Sequence, residues 1–178
     1  MARMFRISLV ALGWMAFTVH ARAEVIDRSA AGFTVRTTVT VAAAPQRVYQ
    51  DLLNVGGWWD KDHTYSGDAK NMTIVAQPGG CFCEKYGGGA VEHGRVVNIS
   101  PNKLLRLAAA LGPLQELATA GTMTWTIEPA KQGSGSTLTM TYAAAGYAPG
   151  GLDKLADIVD TVLARQVKLL QAYAEKSR

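Results

Sequence analysis

Two cysteines, three histidines and no Gly-x-Ser-x-Gly elbow are a thin supply of reactive chemistry for a chain of 178 residues. Without the elbow, and with no serine placed beside a histidine by any recognisable spacing, hydrolysis of the Ser/His/Asp kind has no support. Cys81 and Cys83 are not in a Cys-x-x-Cys pair, and His20 falls in the N-terminal apolar segment. Two thiols on one strand face can hold a soft metal ion. With so few histidines beside them, however, no metal site and no cofactor are expected. Charged residues make up 18% of the chain, and no Lys/Arg cluster tracks a phosphate backbone, so nucleic acid is not an expected partner. Internal repeats are absent. The longest uncharged apolar run, Ile7 to Val19, has 13 residues, short of the roughly 20 that span a bilayer as a helix, so no stable membrane anchor is expected.

That run has another use. Arg3 and Arg6 precede it and Ala21-Arg22-Ala23 follows it, the small-x-small pattern of a signal-peptidase site. Residues 1–23 are therefore expected to be a signal peptide, with Glu24 the first mature residue and a periplasmic or secreted destination. No cysteine follows the run to accept a lipid. Removal of Arg3, Arg6 and Arg22 would leave 15 basic against 14 acidic residues. Residues 24–178 are the size of one domain.

Hydrophobic periodicity supplies the organisation. Phe33, Val35, Thr37, Val39 and Val41 alternate with Thr34, Arg36, Thr38 and Thr40, which reads as a strand with one buried face. Ala44-Pro45 begins a short helix that Gly56-Gly57 ends, followed by Trp58-Trp59. Short strands are predicted at 72–76 and 103–110, and two clean ones carry Met123, Trp125 and Ile127 and Leu138, Met140 and Tyr142. From Leu152 to Glu175 apolar residues recur at helical spacing, with Gln166 among them. A polar amide on an apolar stripe needs a backbone group, a water or a ligand. Consecutive strands and a terminal helix predict an α+β fold. Its antiparallel sheet of about six or seven strands curls around the helix.

Between Pro78 and Pro101 lies a hairpin holding most of the reactive side chains. A four-residue loop over 87–90 pairs Tyr86 with Val91, Glu84 with His93 and Phe82 with Arg95. Phe82, Glu84, His93, Arg95, Val97 and Ile99 then share one face, taken as the inner one. Glu84 would orient His93 for general-base work or for holding a polar head group, with Arg95 beside them. The same three side chains also make an ordinary cross-strand cluster that satisfies itself. Cys81 and Cys83, about 6.6 Å apart at 3.3 Å per residue, are expected to stay unbonded to each other. Asp60, Asp62, His63, Tyr65 and Asp68 are read as a solvated loop, and the Trp58-Trp59 pair as core.

The double Trp after the first helix, Pro78-Gly79-Gly80 opening a strand, and Gly94-Arg95-Val96-Val97-Asn98-Ile99-Ser100-Pro101 resemble the SRPBCC superfamily (START-like). Within it the chain is most similar to the heat-shock-protein ATPase activator homologue family. The resemblance implies a helix-grip fold whose sheet and C-terminal helix enclose a cavity for an apolar molecule such as a lipid, sterol or polyketide. Export would separate the chain from a cytosolic chaperone. The expected function is binding of a small apolar or amphipathic ligand, lined by Phe82, Met123, Trp125, Met140 and Tyr142, with Glu84, His93, Arg95 and Gln166 as its polar groups. A cyclase or dehydratase using Glu84, His93 and Arg95, and an interaction module with a filled core, are the alternatives. Oligomeric state is left open.

Overall fold

The computed structural model describes residues 22–131 and 134–176. The expected signal segment falls outside them as far as residue 21. Among the described residues eight strands form one antiparallel sheet: β1 (Arg22–Ser29), β2 (Gly32–Val41), β3 (Met72–Ile74), β4 (Cys81–Tyr86), β5 (Gly89–Ser100), β6 (Leu104–Ala108), β7 (Ala118–Pro129) and β8 (Ser136–Tyr147). Their order across the sheet is β1-β2-β8-β7-β6-β5-β4-β3. Helix α1 (Pro45–Leu53) follows β2. A turn of 3-10 helix at Leu152–Leu155 leads into α2 (Ala156–Lys176), which packs mainly on β2 and β1. This is a helix-grip arrangement. One strand more is present than expected, the edge strand β1. Its mostly exposed residues carry no clear alternation, so the two-residue period that reveals a half-buried strand is missing there.

The predicted periods are visible in the packing. β2 and β8 alternate between buried and partly exposed residues, and Val35, Val41, Leu138, Met140 and Tyr142 reach zero exposure. On α2 the buried side is Ala156, Leu163, Ala164, Gln166, Val167, Leu170 and Ala174.

The β4–β5 hairpin departs from the predicted register in three ways. Its loop is two residues long, not four: Gly87 (φ 38°) and Gly88 (φ 87°) both take the left-handed conformation that a tight type I′ turn needs. Tyr86 therefore pairs with Gly89, and Glu84 with Val91. A bulge then intervenes, because Cys83 pairs with Glu92 and Phe82 with Gly94, leaving His93 as the extra residue. A second irregularity lies between Val96 and Asn98. The expected face is consequently split. Phe82, Glu84 and His93 are buried, whereas Arg95 and Val97 are exposed, Val97 by 51%.

The cysteines are also corrected. Cys81 and Cys83 are joined by a disulfide, with their Cα atoms 5.4 Å apart. Spacing in a regular strand is about 6.6 Å. Across the bulge β4 is shorter than that, which brings the pair inside the usual disulfide range.

Candidate functional site

Glu84 is fully buried on the inner face of β4. One oxygen accepts the Tyr65 backbone N–H at 3.0 Å, the other accepts the Ser66 N–H at 2.5 Å, and His93 Nε2 lies 3.0 Å from the first. Burial works to raise the Glu84 pKa. The donors from Ser66, Tyr65 and His93 outweigh it and hold the carboxyl below its ordinary value. His93 goes the other way: burial pushes it down, and Glu84 only partly restores it. The pair is a carboxylate beside a neutral imidazole. Because a carboxylate only accepts, Nε2 carries the proton and Nδ1 keeps its lone pair.

The register alone would have parted these groups. Glu84 stands opposite Val91, and His93 comes back to it because the bulge puts two successive residues, His93 and Gly94, on the inner side. A Cβ on Gly94 would come within 2.8 Å of the Ala109 Cβ, so a residue without one suits that close approach.

A second polar centre sits under the same loop. Gln166 of α2 is fully buried. Its Oε1 accepts the Asp60 N–H at 2.9 Å, and its Nε2 donates to His63 Nδ1 at 3.1 Å. The expected need for a partner is thus met by backbone and a histidine. The Asp60 carboxylate accepts from the Arg165 guanidinium and from the Asp62 N–H, and lies 3.3 Å from His63 Nδ1. Burial raises the Asp60 pKa, but these partners together bring it below the ordinary value. Asp60, read from sequence as solvated, is 7% exposed. Asp62 and Asp68 are exposed as expected. A predominantly polar loop gave no signal that its first residue would be drawn under α2. The 60–68 loop is thereby stitched at one end to α2 and at the other to Glu84.

Aromatic rings connect the two centres to the core. Trp125 meets Trp58 at 6.0 Å, Trp58 meets Trp59 at 5.5 Å, and Trp59 meets Phe82 at 5.6 Å. Phe82 meets His93 at 5.0 Å, Tyr65 lies 5.8 Å from His93, and Tyr65 stacks on Tyr86 at 6.0 Å. The chain of rings runs from the buried centre to exposed Tyr65 and Tyr86. Trp58 is core as expected; Trp59 is only half-buried.

The expected lining residues are inside and packed. Phe82, Trp125, Met140, Tyr142 and Gln166 are all at most 2% exposed. Tyr142 donates to the Ala109 carbonyl, and burial pushes its phenol up to about 12. Phe82, Trp125, Met140 and Tyr142 belong to one cluster of buried, mutually packed side chains. An open groove of about 530 Å³ lies elsewhere, along Gly32–Thr34, Ala120–Thr122 and Ala143–Ala145. Arg95 is not part of the site. It lies on the outer face, bonded to the Glu92 carboxylate and to the Gly79 carbonyl. Among the described residues no group of three or more His, Cys, Asp or Glu side chains is arranged to hold a metal ion, and no helix is long and apolar enough to cross a membrane.

No protein-family model matches the chain, and no curated protein matches it. Solved structures do. Protein MLL2253 from Mesorhizobium loti aligns at TM-score 0.57 and 16% identity, over 82% of this chain and 98% of that one. CalU16 from Micromonospora echinospora aligns at 0.55 and 10% identity, over 90% and 88%. The di-domain ARO/CYC StfQ from the steffimycin biosynthetic pathway aligns at 0.55 and 17%, over 84% of this chain and 53% of StfQ. At these identities the likeness establishes the helix-grip fold that this chain shares with them.

Proposed function

We propose that this protein binds a small apolar or amphipathic ligand between its sheet and C-terminal helix, the ligand entering where the 60–68 loop lies over Glu84 and His93. The observation that carries this reading is the buried Glu84–His93 pair set in a wall of aromatic rings and covered by a loop held through hydrogen bonds. Apolar walls with a few placed polar groups are the usual composition of a ligand site. When the loop lifts, both Glu84 oxygens lose their backbone donors and His93 keeps its place. The entering group then meets an ionised carboxylate and a neutral imidazole, and Arg95 lies outside. A buried negative charge repels an anion. The fitting head group is a neutral hydrogen-bond donor, such as a phenol, and long-chain carboxylates are disfavoured.

The relatives of similar fold support the same direction: one is an ARO/CYC of a biosynthetic pathway. The enzymatic alternative keeps Glu84 as orienting acceptor and His93 Nδ1 as base, but no longer has Arg95 beside them. Export to the periplasm or the exterior is part of this proposal. The buried, mutually packed lining side chains favour a second reading, an interaction domain with no ligand.

Calorimetric titration with 2-naphthol and with 2-naphthoate separates these. The binder takes up the phenol saturably, with a negative heat-capacity change, at least about tenfold more tightly than the carboxylate, a difference of about 1.4 kcal/mol. Tighter binding of the carboxylate would refute the head-group assignment. No heat from either compound, nor from neutral sterols, would leave the interaction domain.

A further inference from the structure

The two cysteines take no part in the site described above, yet they sit directly behind it. Cys81 and Cys83 bracket Phe82, whose ring points inward and lies 5.0 Å from the His93 ring. Both cysteines are half-buried on the outer face of the sheet, and the Cys81 Sγ lies 3.9 Å from the Glu92 carboxylate, itself paired with Arg95. The bond therefore faces polar, charged surroundings on the solvent side. The register shift that makes His93 the extra residue falls between Phe82 and Cys83, inside the ring that the disulfide closes. Three steps of β5, from Arg95 to Glu92, are matched against two steps of β4, from Cys81 to Cys83. The 5.4 Å Cα separation is about 1.2 Å less than regular strand spacing.

We propose that Cys81–Cys83 is a reversible thiol–disulfide centre whose substrate is a dithiol, and that its redox state sets how firmly His93 and the 60–68 loop are held on Glu84. A thiolate of the dithiol attacks one sulfur, forming a mixed disulfide and releasing the other cysteine as a thiolate, which takes up a proton. The second thiol of the reductant then displaces the remaining cysteine. The protein gains two thiols and the dithiol becomes its cyclic disulfide. The bond bridges residues only two apart, so it encloses almost no chain and adds little to global stability through loop closure. Its effect is local. Opened, β4 extends toward its regular length behind the bulge, Phe82 shifts against His93, and the Glu84 hydrogen bonds to His93, Tyr65 and Ser66 loosen together. The proposal is independent of which ligand, if any, the interior takes.

The test uses the full chain with dithiothreitol as the dithiol. Mass spectrometry after maleimide labelling of native protein should find no adduct before reduction and two after, since the chain has no other cysteine. Near-ultraviolet circular dichroism should show the reduced protein folded. Amide exchange at Tyr65 and Ser66 should accelerate at least about tenfold, and the His93 ring resonances should move. Oxidised dithiothreitol should restore both. The double variant Cys81→Ser/Cys83→Ser should show the reduced-state exchange rates whether or not reductant is present. Two adducts before reduction, unfolding on reduction, or unchanged Tyr65, Ser66 and His93 signals would each overturn the proposal.

Discussion

Replacing Glu84 by glutamine keeps the shape of the most heavily used buried side chain and removes its charge. The carboxylate accepts from Tyr65 N–H, Ser66 N–H and His93 Nε2. A hydrogen bond to a charged acceptor contributes about 1.5–3 kcal/mol against about 0.5–1.5 for a neutral one, so three weakened bonds cost roughly 3 kcal/mol. The amide NH₂ also replaces one acceptor by a donor and faces an N–H or the imidazole proton, at about 1–3 kcal/mol more. Burying an amide instead of a carboxylate returns part of this. The expected net loss is about 2–4 kcal/mol. With a urea slope of about 2 kcal/mol/M, the midpoint should fall by roughly 1–2 M.

The pH dependence gives a second check on the same variant. Glu84 is depressed in the fold, so its stabilising contribution is present above its ordinary value of 4.5 and is lost as pH falls through the folded pKa. His93 is depressed from 6.5 by burial, so the unfolded chain binds its proton first and stability falls as pH drops below 6.5. Both act in the same direction. Glu84→Gln should abolish the part of the acid loss that begins near 4.5 and keep the part that begins near 6.5. The His93 part should extend to lower pH, because the attraction of Glu84 is gone. Urea denaturation from pH 3 to 8 measures this. A midpoint within about 0.3 M of the parent, with the same acid slope, would refute the role of Glu84 in holding the 60–68 loop.

Four further outcomes are expected. Arg95→Ala should change stability by no more than about 1 kcal/mol, as for an exposed ion pair, and leave phenol affinity unchanged; a tenfold loss of affinity would return Arg95 to the site. Gln166→Leu leaves the Asp60 N–H without its acceptor and should cost about 1–3 kcal/mol by denaturation, with faster amide exchange at Asp60; unaltered exchange there would show that the bond is dispensable. Tyr142, neutral in the fold up to about 12, should make stability fall as pH rises from 10 toward 12, because the unfolded phenol ionises first; Tyr142→Phe should flatten that slope, and an unchanged slope would contradict the raised pKa. Intact mass of protein from the periplasm should match residues 24–178; a mass for 1–178 would remove the export proposal.

The parts of the fold that are legible in the sequence are those whose burial follows a period. β2, β7 and β8 alternate and α2 carries a helical stripe, so each element declares which side it hides. Edge strand β1 has little to hide and was not legible. That Glu84, His93 and Gln166 are buried was legible in their position among apolar residues, although Gln166 joins Asp60 and His63 in a centre of its own. The register was not, because a hairpin's pairing depends on how many residues its turn consumes, and three successive glycines permit more than one turn.

The sequence by itself determined the order of the main elements from β2 to α2, the helix-grip fold and the chemistry available to the site. The tertiary structure alone decided where that chemistry goes. Two glycines with positive φ shortened the turn, and one bulge returned His93 to Glu84 while sending Arg95 to the outer face. The same short stretch brought Cys81 and Cys83 within bonding range, against the expectation from regular strand spacing. Asp60 and His63 joined Gln166 across more than a hundred residues of chain, a long-range pairing that no local pattern encodes. A bulge or a loop anchor is selected by the summed fit of hydrogen bonds and packing around it, and those terms exist only once the sheet and α2 have closed on each other.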